Sequence, residues 1–281
     1  MATFDLIVAT VDRVDELDRL LGSLERQTHG DFRVLVVDQN EDDRLERVLR
    51  GHPALDVVRL RSGRGLSRAR NAALPEVRAD LVAFPDDDCV YPVDLLERVA
   101  DRFDATPTLD GLTGREVDGQ AHSSPSWARD AAVLTRENLW NRAISFTIFL
   151  RAAVVANVGP FDERLGLGAS AQWSSGEEID YLVRALDGGA RIEYDPSVGV
   201  VHEGSALSAA TLRAVAARDG ASIGYILRKH RYAMRTVGRM LVRPVGGALV
   251  AVARRDRARA AFHVSTLRGR LLGYRRAGTA S

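Results

Sequence analysis

The sequence is poor in cysteine and in long apolar runs, and both absences restrict what the protein can be. Cys89 is the single cysteine, which excludes an intrachain disulfide and fits a reducing compartment. No uninterrupted run of about 18 apolar residues occurs, so we expect no segment that spans a bilayer. The first apolar stretch lacks a basic leader and contains Asp5, so we expect no secretory signal peptide. These absences predict a cytoplasmic protein.

Two common nucleotide-binding motifs are also absent. The P-loop pattern Gly-x-x-x-x-Gly-Lys-Ser/Thr does not occur, which excludes a P-loop nucleotide hydrolase. The glycine pair Gly63 and Gly65 is followed three residues later by Arg68 instead of glycine, and no glycine-rich turn follows the first apolar strand. A dinucleotide-binding dehydrogenase therefore has little support.

Lysine is nearly absent, and the positive charge is almost all arginine. Lys229 is the only lysine, and the net charge of the chain is +1. Residues 204–281 contain 16 Arg or Lys against two Asp, an excess of 14 positive charges, so residues 1–203 carry a net charge of −13. This asymmetry indicates an acidic catalytic body and a basic tail that faces an anionic partner.

Apolar strands alternate with amphipathic helices over the first hundred residues, which predicts βαβ units and an α/β fold with a mainly parallel sheet. The predicted strands are 4–10, 32–38, 56–60 and 81–84, and the predicted helices are 12–27, 41–50 and 66–74. Residues 104–143 have weaker periodicity, and we interpret them as an extension of the sheet and substrate loops. A strand over 144–151, a helix over 152–157 and two short strands within 191–202 complete this part.

Three consecutive carboxylates, Asp86, Asp87 and Asp88, follow the buried strand that Pro85 ends. Ligands of open α/β sheets bind beyond the carboxyl ends of the strands, and carboxylate oxygens suit Mg²⁺ or Mn²⁺. The alternative is a solvated acidic turn that caps the helix expected near Pro92.

A second acidic group lies in the first turn of a helix whose buried face includes Ile179 and Leu182. Its members are Glu177, Glu178 and Asp180. The structural alternative is strong, because Ser175 and Glu178 have the spacing of a capping box and Asp180 has that of an ion pair with Arg184.

Four further polar residues also have both a ligand-binding and a purely structural interpretation. Arg68, Arg70 and Asn71 near a helix start are able to meet a diphosphate or to form a solvated helix face. His202 at a strand end is either a ligand-binding residue or an ordinary hydrogen-bonded histidine.

Seven short motifs occur in the order found in family 2 glycosyltransferases of the GT-A fold, and the chain resembles that family over roughly residues 4–204. The motifs are Ile7-Val-Ala-Thr10 with Arg13, Val36-Val-Asp38, Gly65-Leu-Ser-Arg-Ala-Arg70-Asn71, Phe84-Pro-Asp86-Asp-Asp88, Gly159-Pro-Phe-Asp162-Glu, Gly176-Glu-Glu-Ile-Asp180 and His202. The resemblance implies a Rossmann-like sheet flanked by helices and an inverting, metal-dependent transfer of a hexosyl or deoxyhexosyl group.

The resemblance also implies roles for single residues. Thr10, Arg13, Asp38 and Arg70 would line the nucleotide pocket together with Asp86 and Asp87, and Asp38 would read the base. Asp86 and Asp88 would bind Mg²⁺ or Mn²⁺ at the donor diphosphate, with His202 near the metal.

The family's Glu-Asp motif, whose second acid is the catalytic base, appears here as Glu177-Glu178. Glu178 is therefore the first choice for the base, Glu177 is a competitor, and Asp180 would position the base or the acceptor. An inverting transfer needs such a carboxylate to take the proton of the acceptor hydroxyl.

The predicted function is the transfer of a sugar from a nucleoside-diphosphate sugar to a hydroxyl acceptor: a glycan, a lipid-linked saccharide or a secondary metabolite. One alternative is a sugar-phosphate nucleotidyltransferase, which would want a glycine-rich basic loop after the first strand, where this chain has Thr10-Val-Asp-Arg13. Another is a non-catalytic nucleotide- or glycan-binding module, which would show eroded acidic clusters.

We expect a catalytic domain over residues 1–204, with a nucleotide-binding half to about residue 103 and an acceptor half after it. Residues 205–281 form a helical, Arg-rich extension with predicted helices over 207–218 and 223–240 and an apolar stretch after Pro244 about half as long as a bilayer span. We favour peripheral attachment of this tail to the inner face of a membrane over simple packing, and the scarcity of aromatics argues against nucleic acid.

Overall fold

The computed structural model describes residues 1–169, 173–202 and 208–277, and the chain divides into two compact units. The first unit comprises Met1–Phe161 and Tyr181–Gly204, and the second comprises Asp162–Asp180 and Ser205–Ser281. Residues 162–180 therefore group with the C-terminal helices, although the sequence predicts a boundary near residue 204. The physical reason is an ionic contact within the second unit, because Lys229 contacts both Asp162 and Asp180.

A mixed sheet forms the centre of the first unit. Its strands β1 to β9 are, in chain order, Phe4–Thr10, Phe32–Asp38, Val57–Arg61, Leu81–Ala83, Cys89–Val90, Gly111–Val117, Ala132–Val133, Ile148–Arg151 and Ile192–His202. The order across the sheet is β3-β2-β1-β4-β8-β6-β9-β5, and β7 pairs with β9. Strand β1 runs parallel to both β2 and β4, and β2 runs parallel to β3. The expected parallel α/β half is confirmed.

The strands are separated by helices whose apolar faces the sequence pattern predicts. Helices α1 to α6 are Asp15–Leu24, Glu46–Gly51, Leu66–Ala73, Leu95–Ala105, Ala152–Val158 and Glu177–Asp187. In α1 the leucines at 17, 20, 21 and 24 are all buried, and they join the core formed by the inner residues of β1, β2 and β4. This burial is the main favourable contribution to folding of the unit.

Several predicted boundaries are wrong: the helix expected over 41–50 begins at Glu46, and the strand expected over 144–151 begins at Ile148. Two further differences have a clear physical reason. Helix α1 begins at Asp15 instead of residue 12, because Asp12 has a left-handed backbone with φ of 58° that a helix cannot contain. The two short strands expected within 191–202 are one strand, β9, which continues through Pro196. A register shift against β6 between Thr113 and Arg115 accommodates this irregular stretch.

Three long helices dominate the second unit. They are α7 (Ala209–Lys229), α8 (Met234–Ala253) and α9 (Arg257–Arg276). The prediction of one helix over 223–240 is wrong, because the helix is interrupted at residues 230–233, where Arg231 has a φ of 51°.

Helix α8 continues through Pro244, whereas the sequence pattern predicts a helix that ends at residue 240. A proline within a helix leaves the carbonyl four residues earlier without its usual donor, here that of Met240. The Nη1 atom of Arg270 donates to this carbonyl and replaces the missing donor. By length and composition, α8 is the one helix among the described residues that is long and apolar enough to cross a membrane.

Helices α7 and α9 pack backbone to backbone through glycines. A Cβ atom on Gly224 would lie 2.1 Å from the carbonyl oxygen of Arg270, and one on Gly273 would lie 1.9 Å from that of Ala221. Both distances are far inside van der Waals contact, so only glycine permits this approach of the two helices.

Candidate active site

The carboxyl ends of three parallel strands bring the predicted nucleotide residues of the first unit together. Thr10, the last residue of β1, is in register with Asp38, the last residue of β2. Asp86 follows β4 and forms a parallel bridge with Ala9. Because this is where open α/β sheets bind ligands, the arrangement favours a nucleotide site at this edge.

Asp38 is fully buried and accepts hydrogen bonds through both carboxylate oxygens. Its Oδ1 accepts from the backbone and side-chain nitrogens of Asn40, and its Oδ2 accepts from Nε and Nη2 of Arg59. Nη1 of Arg61 lies 3.1 Å from the same Oδ2. Burial raises the pKa of Asp38, but these donors outweigh it and hold the pKa below its usual range. The Asp38 carboxylate therefore holds the side chains of Arg59 and Arg61 at the end of β2.

The buried Arg70 forms an ion pair with the partly exposed Asp86. The Nη2 atom of Arg70 lies 3.1 Å from Oδ1 of Asp86, and the guanidinium lies over the rings of Phe84 and Phe161. The hydroxyl of Ser145 donates to the same carboxylate at 3.1 Å. The neighbouring Asn71 has a structural contact, because its side chain exchanges two hydrogen bonds with the backbone of Phe161.

Arg13 bridges the other two carboxylates of the triplet. Its Nη1 atom lies 2.7 Å from Oδ1 of Asp87 and 2.5 Å from Oδ2 of Asp88. Burial raises the pKa of Asp87 to about 6, against the opposing effect of hydrogen bonds from Thr10 and Arg13. The alternative of a solvated acidic turn is thus wrong for Asp87, which is 6% exposed.

His202, the last residue of β9, lies between two carboxylates. Its Nε2 is 3.3 Å from Oδ1 of Asp88, its Nδ1 is 3.0 Å from Oε1 of Glu116, and its ring stacks on Phe146. Hydrogen bonds to Asp88 and Glu116 raise the pKa of His202 to about 10, so the imidazolium form is favoured in this arrangement. Coordination of a metal would require loss of that proton.

The residues present fit a divalent cation in part. Among the described residues, no group of three or more His, Cys, Asp or Glu is arranged to hold a metal ion. Asp88 and His202, however, offer an oxygen and a nitrogen 3.3 Å apart. Adjacent ligands of an octahedral Mg²⁺ are about 3 Å apart, and this ion takes its remaining ligands from water and substrate phosphates. The carboxylate of Asp86, the other predicted metal ligand, contacts Arg70 and Ser145.

Glu177 and Glu178 open helix α6 in the second unit, where the helix dipole favours negative charge. Glu177 is 4% exposed, and Glu178 is less buried. Gly176 precedes the helix with a φ of 83°, and its carbonyl accepts a hydrogen bond from the backbone N–H of Asp180. A Cβ atom added to Gly176 would lie 2.7 Å from Cδ1 of Ile226. The hydroxyl of Ser175 hydrogen-bonds to Asp219.

Asp180 is fully buried and belongs to an ionic network of the second unit. Nζ of Lys229 lies 2.5 Å and Nε2 of His230 2.7 Å from its Oδ1. Lys229 also lies 2.7 Å from Asp162, which Arg164 contacts at 2.9 Å. These contacts hold the Asp180 side chain at the start of α6.

Several residues that contact the predicted site residues were not identified from the sequence. Arg59 and Arg61 had a signal, since their spacing of two places both on one face of β3, beside Asp38. Glu116, Ser145 and His230 have no local pattern that reveals them.

Several known proteins are similar to this chain in sequence. The family model described as "Glycosyl transferase family 2" matches residues 5–157. The chain is 26% identical over 211 residues to the pre-mycofactocin glycosyltransferase of Mycobacterium tuberculosis, covering 70% of this chain and 42% of that protein. It is 24% identical over 201 residues to glycosyltransferase AglE of Haloferax volcanii, covering 67% of this chain and 63% of that protein. The chain thus spans less than two thirds of these relatives.

Solved structures share the fold. The mannosyltransferase PcManGT from Pyrobaculum calidifontis, in complex with GDP-Man and Mn²⁺, aligns with a TM-score of 0.64 at 16% identity, covering 97% of this chain and 87% of that one. S. aureus TarS in complex with UDP-GlcNAc aligns with a TM-score of 0.58 at 20% identity, covering 95% and 90%. The expectation of a GT-A fold with C-terminal helices is confirmed.

Proposed function

Because this chain belongs to glycosyl transferase family 2, we propose that it transfers a hexosyl or deoxyhexosyl group from a nucleoside-diphosphate sugar to an acceptor hydroxyl, with inversion. The observation that carries the proposal is the convergence of Thr10, Asp38 and the Asp86–Asp88 triplet at the carboxyl edge of β1, β2 and β4. The complexes of the two solved glycosyltransferases with GDP-Man and UDP-GlcNAc support a donor of this class.

In this proposal the nucleoside diphosphate binds at that edge. Asp38 reads the base by exchanging one of its arginine donors for a base N–H, since the hydrogen bonds of Asn40 and Arg59 already use both of its oxygens. Arg13, whose side chain is 43% exposed, offers its guanidinium to the diphosphate through paired N–H donors. Arg70 is buried and lines the site indirectly, by holding the carboxylate of Asp86.

Asp88 and His202 would hold Mg²⁺ or Mn²⁺, with Asp86 assisting from its position beside Arg70. When bound, this ion supplies charge neutralisation on the departing diphosphate. Arg13, which contacts Asp87 and Asp88, adds a fixed positive charge next to the same carboxylates.

Glu178 acts as the base that accepts the proton of the acceptor hydroxyl, with Glu177 as the competing assignment. Glu178 is preferred because it is less buried than Glu177, and a base must reach the acceptor. Asp180 keeps the first turn of α6 in place through Lys229 and His230.

The test is a thermal-shift screen of nucleoside diphosphates with and without Mn²⁺, followed by a search for cleavage of the matching nucleotide sugars. A ligand at about 100 times its dissociation constant should add roughly 2.7 kcal/mol to the stability. Release of nucleoside diphosphate from a nucleotide sugar supports transfer. Formation of a nucleotide sugar from a sugar phosphate and a nucleoside triphosphate, or binding with no turnover, contradicts it.

A further inference from the structure

Helix α8 carries an exposed apolar face. Val242, Val245, Leu249 and Val252 follow one another at spacings of three, four and three residues, which places them on one side of the helix, and Met234 continues the same line toward the N-terminus. The exposed fractions of these five residues lie between 41% and 70%. We call these five residues the α8 stripe.

The opposite side of α8 is buried within the second unit. Thr236, Val237, Met240, Pro244 and Ala251 are its buried residues, and α8 packs against α9. The stripe is therefore the outer surface of a docked helix. A soluble protein rarely leaves a continuous apolar line of this length in water unless another surface covers it.

Positive charge borders the stripe. Arg235, Arg239 and Arg243 are exposed and lie along one side of it, and α8 contains no acidic residue. This combination of apolar line and flanking arginines complements an anionic lipid surface, where arginines reach the head groups and apolar side chains enter the acyl boundary.

We propose that the α8 stripe docks the protein on an anionic bilayer, with α8 lying in the plane of the interface. The buried opposite face and the three arginines argue against a spanning orientation, because crossing would strip α8 from α9 and bring charges into the hydrocarbon. The Arg270 contact with the Met240 carbonyl adds a further attachment of α8 to the rest of the unit.

The experiment is vesicle co-sedimentation of the full chain with phosphatidylcholine vesicles, with and without about one quarter phosphatidylglycerol, at low and high salt. Two variants probe the surface: Leu249→Gln with Val252→Gln changes two of the five residues of the stripe, and Arg235→Gln, Arg239→Gln and Arg243→Gln together remove the flanking charge. Glutamine keeps helix propensity, and every changed side chain is exposed, so both variants should fold.

Matched controls remove equal apolar surface or charge elsewhere. Val93→Gln with Leu167→Gln changes two exposed apolar residues in loops. Arg19→Gln, Arg26→Gln and Arg47→Gln together remove three exposed arginines of the first unit. Circular dichroism melting of all variants verifies the fold.

We expect binding to the anionic vesicles that weakens at high salt, a loss of about tenfold or more in each α8 variant, and no such loss in the controls. Absence of vesicle binding by the full chain overturns the proposal, as does equal loss in variants and controls. A dimer that the stripe variant dissociates, without vesicle binding, identifies a second copy as the occupant. Resistance to alkaline extraction from membranes would instead show that α8 spans the bilayer.

Discussion

Arg270 donates a hydrogen bond from its Nη1 atom to the carbonyl oxygen of Met240, the oxygen that Pro244 leaves without a helical donor. Through this contact, a side chain of α9 supplies the hydrogen-bond donor that the backbone of α8 lacks. The guanidinium is partly buried, and that burial, with the charge of Arg243, lowers the pKa of Arg270 to about 10.

Arg270→Met should therefore lower the free energy of unfolding by about 1–3 kcal/mol, because it leaves a carbonyl of the helix without its donor. Adding Pro244→Ala restores the backbone N–H to residue 244 and should recover part of that loss. Urea unfolding of the two single variants and the double variant measures this coupling. Strictly additive effects would show that the Met240 carbonyl does not link the two residues.

Gly273→Ala should destabilise the second unit by about 1–3 kcal/mol, because its methyl group would overlap the carbonyl of Ala221 and force α7 and α9 apart. Gly238→Ala is the matched control within a helix. No atom lies within 4 Å of its added Cβ, so better helix propensity should leave the protein equally stable or slightly more so. Thermal melts compare the two, and equal melting temperatures would contradict the close packing.

The ion pairs of Asp162 should make stability depend on pH. Burial raises the pKa of Asp162, but hydrogen bonds from Arg164 and Lys229 outweigh it and bring the pKa well below its usual range. A depressed folded pKa stabilises the protein above the unfolded pKa of about 4, and that stabilisation is lost as the pH falls further. Asp162→Asn should thus destabilise most near pH 7, with the difference from wild type shrinking in acid. A difference that is constant with pH would rule out this ionic role.

Asp88→Asn should abolish sugar transfer and Mn²⁺-dependent nucleotide binding while the protein stays folded. Isothermal titration with Mn²⁺ and the nucleoside diphosphate gives a readout separate from turnover. His202→Ala should raise the Mn²⁺ concentration required, since the Asp88 carboxylate keeps its place beside Arg13. Normal turnover by Asp88→Asn would refute the metal assignment.

Glu178→Gln should keep donor binding but reduce the transfer rate by about 10²–10⁴-fold, which is the usual contribution of general-base catalysis. Glu177→Gln is the control on the same helix turn. The reverse pattern in steady-state kinetics, with the large loss in Glu177→Gln, would exchange the two roles.

The sequence by itself determined the parallel half of the sheet, since buried apolar strands alternating with amphipathic helices have one common solution, and it determined that Thr10, Asp38 and Asp86 meet. Thr10 and Asp38 end adjacent parallel strands and Asp86 follows a third, so their proximity follows from local pattern and register alone. The family motifs follow from the same segments.

Only the tertiary structure decided which charged residues contact Asp87, Asp88 and His202. Arg13 contacts Asp87 and Asp88 across more than seventy residues of chain, and Glu116 contacts His202 across 86, separations over which no periodicity acts. The extent of α8 likewise depends on a tertiary contact. A proline usually ends or kinks a helix, and here Arg270 donates to the carbonyl that Pro244 leaves without a donor. Local propensity and spacing describe short stretches of chain, whereas charge compensation and capping of buried groups depend on whichever distant residue packing brings into contact.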